Sequence, residues 1–570
     1  MMAWAKTLTP GVQQLRGYDP GWLRGDVLAG ITVAAYLVPQ VMAYAEVAGL
    51  PPVVGLWAIM GPLVVYAVLG TSRQLSMGPE STTALMTAVV VAPLAAGDPA
   101  RYAALAAALA FVVAAICLLA WFARLGFLAD LLSRPVLVGY LAGLAVIMVV
   151  SQLTTLTGVP VDGQSLGERV SSFAANVDQL HLPTAALAAI ALVTMLVGAR
   201  LWPKAPVPLV AMLFAAAAVV VFDLDGRGVQ VLGSVPAGLP TPALPAVTVQ
   251  ELAGLLLPAI GVAIVGYTDN VLTARAFASR RGERIDANQE LLALGTANLS
   301  AGLLRGFPVS SSASRTAIGD ALGSRSQLHS LVALGVVVAV LLFAQPLLEA
   351  FPRAVLGAIV VFAALRLVDL AELRRFAAFR SSELVLALSA TAAVLVLGVL
   401  YGVLAAVGLS ILELVRRVAR PHDGILGQVP GVAGMHDIDD YPNARLVPGL
   451  VVYRYDAPLC FANAENFRQR ALTAVDQSPT RVEWFLLNAE ANVEVDITAI
   501  DALEQLRDEL AERGVVFAMA RVKQDLLVHL ESAGLAERVG SDRIFPTLPT
   551  AVSGYARWYE GKYGRLPPTA

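Results

Sequence analysis

The chain has 570 residues, 57% of them hydrophobic and 15% charged, with a formal net charge of −3. Soluble domains run at roughly 45–50% and 25%, so the apolar excess rules out a string of soluble domains, and no basic stripe provides for nucleic acid. Two cysteines, Cys117 in an apolar run and Cys460 in the polar tail, rule out a disulfide framework.

Residues 1–26 carry Lys6, Arg16 and Arg24, lack the apolar core of a cleavable signal, and read as a cytoplasmic lead-in. Apolar runs then predict spans near 27–46, 53–69, 80–95, 101–121, 135–153, 182–199 and 205–222. A second set follows near 254–277, 286–304, 312–322, 328–346, 353–368, 383–398 and 400–418. That makes about fourteen segments, most near the ~20 residues a crossing helix needs. The third and tenth are short. Each follows a proline and a hydroxyl cluster, Gly78-Pro-Glu-Ser-Thr-Thr83 in the first half and Phe307 to Ser314 in the second. Short, interrupted segments at matching positions of two halves point to an inverted-repeat transporter with its site between them.

The second break is the more informative. Ser310, Ser311, Ser312, Ser314 and Arg315 sit where plain hydrocarbon is expected. Pro308 disfavours helix before it and suits the start of one after it, so a short helix is expected from near Ser312. Its first turn offers free N–H groups and partial positive charge, an anion site. The same stretch also reads as a polar surface loop with Arg315 snorkelling to the interface.

Lys and Arg set the orientation. With the N-terminus inside, the inner loops hold Arg73, Arg124, Arg134, Arg200, Lys204, Arg280, Arg281, Arg284, Arg325, Arg374, Arg375 and Arg380. The outer loops hold scattered ones such as Arg101, Arg169 and Arg227. The asymmetry implies an even number of spans, both termini cytoplasmic, and a multi-pass inner-membrane protein.

The composition changes near Pro421. Residues 1–420 form the expected membrane domain, 421–447 a Pro/Gly/Asp-rich linker, and 448–570 a small α/β domain. Strands are expected at Val451–Tyr455, Leu459–Ala462, Val482–Leu487, Val515–Ala520 and Ile544–Phe545. Helices are expected at Ala464–Val475, Thr498–Arg513 and Lys523–Ala533, with a last helix after Phe545. Asn488, Asp496 and Thr498 fall in a strand-to-helix connection, where sites in open α/β sheets lie, although Asp496 or Thr498 also reads as the cap of the next helix. No phosphate-binding Gly-rich loop is present.

Several stretches resemble the SulP/SLC26 anion-transporter family. They are Gly49-Leu-Pro-Pro-Val-Val-Gly-Leu-Trp57, Gly70-Thr-Ser-Arg-Gln-Leu-Ser-Met-Gly-Pro79 and Ser312-Ala-Ser-Arg315. The tail resembles that family's STAS domain at Pro458-Leu-Cys-Phe-Ala-Asn-Ala464 and Val493-Glu-Val-Asp-Ile-Thr498. The resemblance covers nearly the whole chain and is greatest to bacterial members described as sulfate permeases. It implies an all-α polytopic membrane domain, a UraA-like 7+7 inverted repeat, followed by a cytoplasmic STAS domain. It further implies a homodimer in the bacterial inner membrane, with an anion held between the third and tenth helix starts. By the same resemblance Gln40 and Tyr44 line the pocket, Glu80, Ser81 and Thr82 open the third helix, and Ser312, Ala313, Ser314 and Arg315 open the tenth. Asp269 matches a carboxylate tied to proton or cation coupling, with Thr273 one turn on. Asn488, Asp496 and Thr498 form the STAS loop of regulatory interest.

The residues also carry their own chemistry. Gln40 is either a pocket donor or an interhelical staple, and Tyr44 either a ligand or packing. A buried Asp269 must titrate, hold a cation or pair with Arg315, the last also being its structural reading. Arg315 is therefore expected to partner Asp269, Glu80 or the anion. Glu80 repels an anion unless protonated, in which case it couples proton entry to anion entry alongside Asp269 and Thr273, or else it turns away and caps its helix. The five histidines (His181, His329, His422, His436, His529) lack ligand spacing, so no metal, cofactor or catalytic site is expected. The expectation is a secondary active transporter, proton-coupled sulfate uptake first. The alternatives are a bicarbonate or C4-dicarboxylate symporter driven by sodium or protons, and an anion channel or exchanger.

Overall fold

Apolar runs without charges fold as helices, because in hydrocarbon a helix satisfies its own backbone groups. The computed structural model describes residues 9–130, 133–163, 165–236 and 238–567. The chain divides by contacts into two units, Met1–Ser410 and Ile411–Ala570.

The first unit is helical. In order its main elements are α1 (Leu23–Val47), α2 (Val53–Leu69), a two-residue strand β1 (Met77–Gly78), α3 (Ser81–Ala95), α4 (Pro99–Phe122), α5 (Arg134–Ser151), α6 (Leu182–Leu201) and α7 (Val207–Phe222). The second half runs α8 (Val249–Ser279), α9 (Ala287–Leu303), β2 (Ser310–Ser311), α10 (Ala313–Ala321), α11 (Leu328–Phe343), α12 (Arg353–Leu365) and α13 (Ser381–Ala419), whose residues from Ile411 on fall in the second unit. Each expected span coincides with a helix. The last two lie within α13, which breaks at Gly398, where φ is 81° and glycine avoids the Cβ penalty. Among the described residues, seven helices are long and apolar enough to cross a membrane, and four shorter apolar ones accompany them. As expected, α3 and α10 are short, at 15 and 9 residues.

Helix α9, with 17 residues, is in neither of those groups and buries Gln289, Glu290 and Asn298. It packs chiefly against α4 and α2, and that shielding lets it carry polar groups. Close helix approach is built on small residues. A Cβ on Gly55 would lie 1.9 Å from the Val41 carbonyl oxygen, so α1 and α2 touch only because Gly55 has none.

The second unit contains a six-stranded sheet. Its strands are β3 (Asp423–Gln428), β4 (Met435–Asp437), β5 (Leu450–Tyr455), β6 (Trp484–Asn488), β7 (Val516–Ala520) and β8 (Ile544–Phe545), in the order β4-β3-β5-β6-β7-β8. β5 to β8 run parallel, while β3 is antiparallel to both its neighbours. Residues alternate between two cores. Val451, Tyr453, Phe485, Leu487, Phe517 and Met519 face one that includes α14 (Ala464–Asp476), α15 (Ile497–Glu512) and α16 (Gln524–Ser532). Leu450, Val452, Trp484, Leu486 and Ala518 face α17 (Leu548–Tyr563) on the other side. Burial of both faces is what a parallel sheet requires.

Two expectations change. Residues 421–447, expected as a linker, supply β3 and β4, and β3 lies inside the sheet. Its Asp-Gly-Ile-Leu-Gly-Gln sequence has little strand propensity, and pairing with β5 overrides that. Leu459–Ala462 is not a strand. Leu459 makes a single bridge to Val495, and the Asn463 side chain takes over the local backbone, accepting from Cys460 N at 2.9 Å and donating to Pro458 O at 2.9 Å.

Candidate functional site

The two chain breaks meet. β1 and β2 pair antiparallel, Met77 opposite Ser311 and Gly78 opposite Ser310. Ser312 N donates to Ser76 O at 2.9 Å, and Ser76 N donates to Thr316 Oγ1 at 3.0 Å. The starts of α3 and α10, 240 residues apart at Ser76 and Thr316, are thereby joined. Asn298 on α9 holds the second break from behind: its Nδ2 donates to Val309 O at 3.0 Å and its Oδ1 accepts from Val309 N at 2.9 Å.

Both helix starts are capped by their own side chains. Ser312 Oγ accepts from Arg315 N at 3.4 Å and lies 3.2 Å from Ser314 Oγ. Glu80 accepts from Thr82 N at 2.7 Å and from the Ser81 hydroxyl, so of its two readings the side chain takes that of a cap. Ser81 and Thr82 are buried beside it, and Ala313 is exposed at the other start.

Arg315 is fully buried. Its Nη1 donates to Gln40 Oε1 at 3.1 Å and to Pro79 O at 3.0 Å, and its Nε donates to Ser76 Oγ at 3.3 Å. Nη2 has no partner among the described residues. The expected pairing with Asp269 or Glu80 does not occur: every acceptor is neutral, because Glu80 turns to its own helix start and Asp269 is engaged elsewhere. Gln40 Nε2 donates in turn to the Tyr44 hydroxyl at 3.0 Å. Arg315, Gln40 and Tyr44 thus form one line from α10 into α1.

Asp269 on α8 accepts from Ser311 Oγ at 3.2 Å, and Ser310 Oγ donates to Gly266 O at 2.8 Å. A carboxylate on α8 therefore touches the same two-residue strand that joins the breaks. Thr273 is buried one turn on.

Two carboxylates escaped the sequence reading. Glu290 on α9 is fully buried and accepts from the Tyr66 hydroxyl at 3.0 Å, Thr71 N at 3.0 Å and Asn270 Nδ2 at 2.8 Å. Asp26 is also fully buried and accepts from Arg325 N at 2.7 Å and the Ser326 hydroxyl at 2.6 Å. Ionisable groups inside predicted spans were the signal for Glu290, whereas Asp26 lay in the presumed lead-in. Among the described residues, no group of three or more His, Cys, Asp or Glu is arranged for a metal.

In the second unit Asp496 caps α15, accepting from Ala499 N at 2.8 Å, and also accepts from Phe461 N at 2.7 Å. Asn488 is buried at the end of β6, and Thr498 is exposed.

The arrangement brings together two helix N-termini, several hydroxyls and a guanidinium with a free donor, with the carboxylates of Asp269 and Glu80 alongside. It can hold an anion through donors alone.

The sulfate permease family model matches residues 23–390, and the STAS domain model matches residues 441–551. A protein of Mycobacterium tuberculosis named probable sulfate transporter is 64% identical over 550 residues, covering 96% of this chain and 98% of its own. The chloroplastic sulfate transporter 4.1 of Arabidopsis thaliana is 29% identical, with 97% and 83% covered. In fold, the chain is similar to murine Slc26a9 in its inward-facing state, with a TM-score of 0.88 at 24% identity over 97% of this chain and 94% of that one. The transmembrane domain of the cyanobacterial bicarbonate transporter BicA gives 0.60 at 23% identity, over 68% and 97%.

Proposed function

This chain belongs to the sulfate permease family, and on that premise we propose that it is a secondary active importer of sulfate driven by protons. Anion transport is the coarser statement that the family carries. The choice of sulfate draws on the 64% identical relative named for it.

One observation carries the siting of the anion. Arg315 is a fully buried guanidinium with only neutral protein partners, placed where two helix starts converge. A buried charge is costly unless compensated, and an oxyanion supplies the compensation. Gln40, Tyr44, Ser81, Thr82, Ser312, Ala313 and Ser314 line the site, and Glu80 fixes the start of α3. Asp269, with Thr273 beside it, carries the coupling proton and reports its state to β2 through Ser311. The termini face the cytoplasm of a bacterial inner membrane, the protein works as a homodimer, and the STAS loop at Asn488, Asp496 and Thr498 serves regulation.

The test is uptake of labelled sulfate by purified protein in liposomes, with pH and sodium gradients imposed separately. Uptake driven by an inward proton gradient and indifferent to sodium is expected. Dependence on sodium alone would move the coupling to that ion, and absence of concentrative sulfate uptake would end the importer reading.

A further inference from the structure

A second cleft lies at the end of the membrane domain where α1 begins. It has a volume of about 340 Å³ and is lined by Trp22, Arg73, Arg281, Glu283 and Arg325, within the roughly 300–1,000 Å³ range of ligand clefts. None of Gln40, Glu80, Asp269 or Arg315 lines it.

Four chain segments converge there: the start of α1, the turn before β1, the turn after α8 and the turn after α10. Arg73 lies 5.8 Å from the Trp22 ring and 3.5 Å from Glu283. Arg281 is aimed by a 2.8 Å hydrogen bond to Ser324 O and by its pairing with Asp320. Arg325 is anchored by its backbone to Asp26, while its exposed guanidinium has no hydrogen bond or ion pair among the described residues. Glu283 already answers Arg73, and Asp320 answers both Arg281 and, at 3.9 Å, Arg280, so the Arg325 charge is uncompensated.

We infer that this cleft binds a phosphate group, carried by an anionic lipid headgroup or by a soluble phosphate compound. Guanidinium forks match phosphate oxygens in pairs. A tryptophan beside them suits the membrane–water boundary, and basic clefts between helices receive anionic headgroups. A phosphate bridging Arg73 and Arg325 ties the turn leading into β1 to the turn leaving α10, the two segments that flank the Arg315 site. This regulatory consequence rests on the transport reading, whereas the binding does not.

The test uses full-length protein in two arms. In detergent, inorganic pyrophosphate is titrated and binding is read from the rise in unfolding temperature. In nanodiscs of phosphatidylcholine with or without phosphatidylglycerol, retained lipid is counted by native mass spectrometry. Arg325→Gln and Arg73→Gln should each weaken binding about tenfold in the arm that applies, and Arg325→Lys should recover part of it. Arg280→Gln, on a neighbouring residue outside the cleft lining that reaches Asp320 only at 3.9 Å, should weaken binding less than about twofold. Because the Arg325 guanidinium has no partner to lose, its variant keeps the test valid if Arg73→Gln misfolds. Response in the pyrophosphate arm alone identifies a soluble ligand, response in the lipid arm alone identifies a headgroup, and response in both identifies a shared phosphate site. Absence of binding in both arms, or an equal loss in Arg280→Gln, overturns the inference. These readouts do not depend on transport, so failure of the transport reading would leave them intact.

Discussion

Arg315 Nη1 donates to Gln40 Oε1 across 3.1 Å, joining the start of α10 to the interior of α1. The bond leaves Gln40 free to donate to Tyr44 and orients the guanidinium with Nη2 still available. The two residues are therefore expected to act as a unit.

Arg315→Ala should weaken sulfate binding about ten- to a hundredfold, the loss of a charge-assisted hydrogen bond. Arg315→Lys should recover only part, since it keeps the charge and loses the fork. Gln40→Ala should cost less alone, and almost nothing further in the Arg315→Ala background. Affinities measured on monodisperse protein complete the cycle. Equal binding by all variants would make Arg315 a structural cation.

Asp269→Asn should fold and bind sulfate but lose the dependence of uptake on the proton gradient. Ser311→Ala, which removes the hydroxyl through which that carboxylate reaches β2, should weaken that dependence without abolishing it. Uptake against external pH in proteoliposomes checks both. Full gradient dependence in Asp269→Asn would transfer coupling to another group, with buried Glu290 next in line.

Asn298 makes both hydrogen bonds available to Val309. Asn298→Ala should destabilise the protein by about 1–3 kcal/mol, the usual cost of leaving buried backbone groups unpaired. Sulfate affinity should fall with it, because the strand ahead of α10 loses its support. Asn298→Asp keeps the acceptor for Val309 N and should restore less than half of the stability, as judged by unfolding temperature.

How much of this was legible beforehand follows from the kind of signal each part carries. Apolar length marked the helices, and prolines beside hydroxyls marked the breaks, because both are local in sequence. The pairing of Met77 with Ser311 was not legible, since nothing in either two-residue strand encodes its partner. The neutral company of Arg315 was missed for a related reason: charge complementarity favoured carboxylates, and the sequence does not show that Glu80 folds back on its own helix. β3 was lost because two glycines mask its alternation, although Ile425 and Leu426 are the apolar pair that the sheet uses.

The tail gives a fourth prediction. A fragment of residues 421–570 should be soluble, folded and more resistant to urea than one of residues 448–570, which lacks β3 and β4 and exposes the edge of β5. Circular dichroism during urea titration compares them. Equal midpoints would show that the two antiparallel strands add no stability.

The fifth concerns acid. Glu483 accepts from Lys562 Nζ and the Tyr563 hydroxyl, each at 2.8 Å, fastening the end of α17 to the segment before β6. Burial pushes its carboxyl up, but the bonds from Lys562 and Tyr563 outweigh this and hold it below its ordinary value. A depressed carboxylate stabilises the fold above the unfolded value, about 4.3, and that contribution fades as pH falls through the folded value. Unfolding temperature of the 421–570 fragment should therefore drop on acidification below about pH 5, and less steeply in Glu483→Gln. Parallel curves for the two proteins would assign the acid sensitivity to other groups.

The ladder between β1 and β2 also bears on how the protein is made. Ser76 waits for a partner 240 residues downstream. In a chain made from its amino terminus the segment from Ser76 to Gly78 precedes the strand it pairs with, and backbone left unpaired away from water costs several kcal/mol per group. The amino-terminal half is thus a dependent intermediate, completed only when Ser310 to Thr316 arrives.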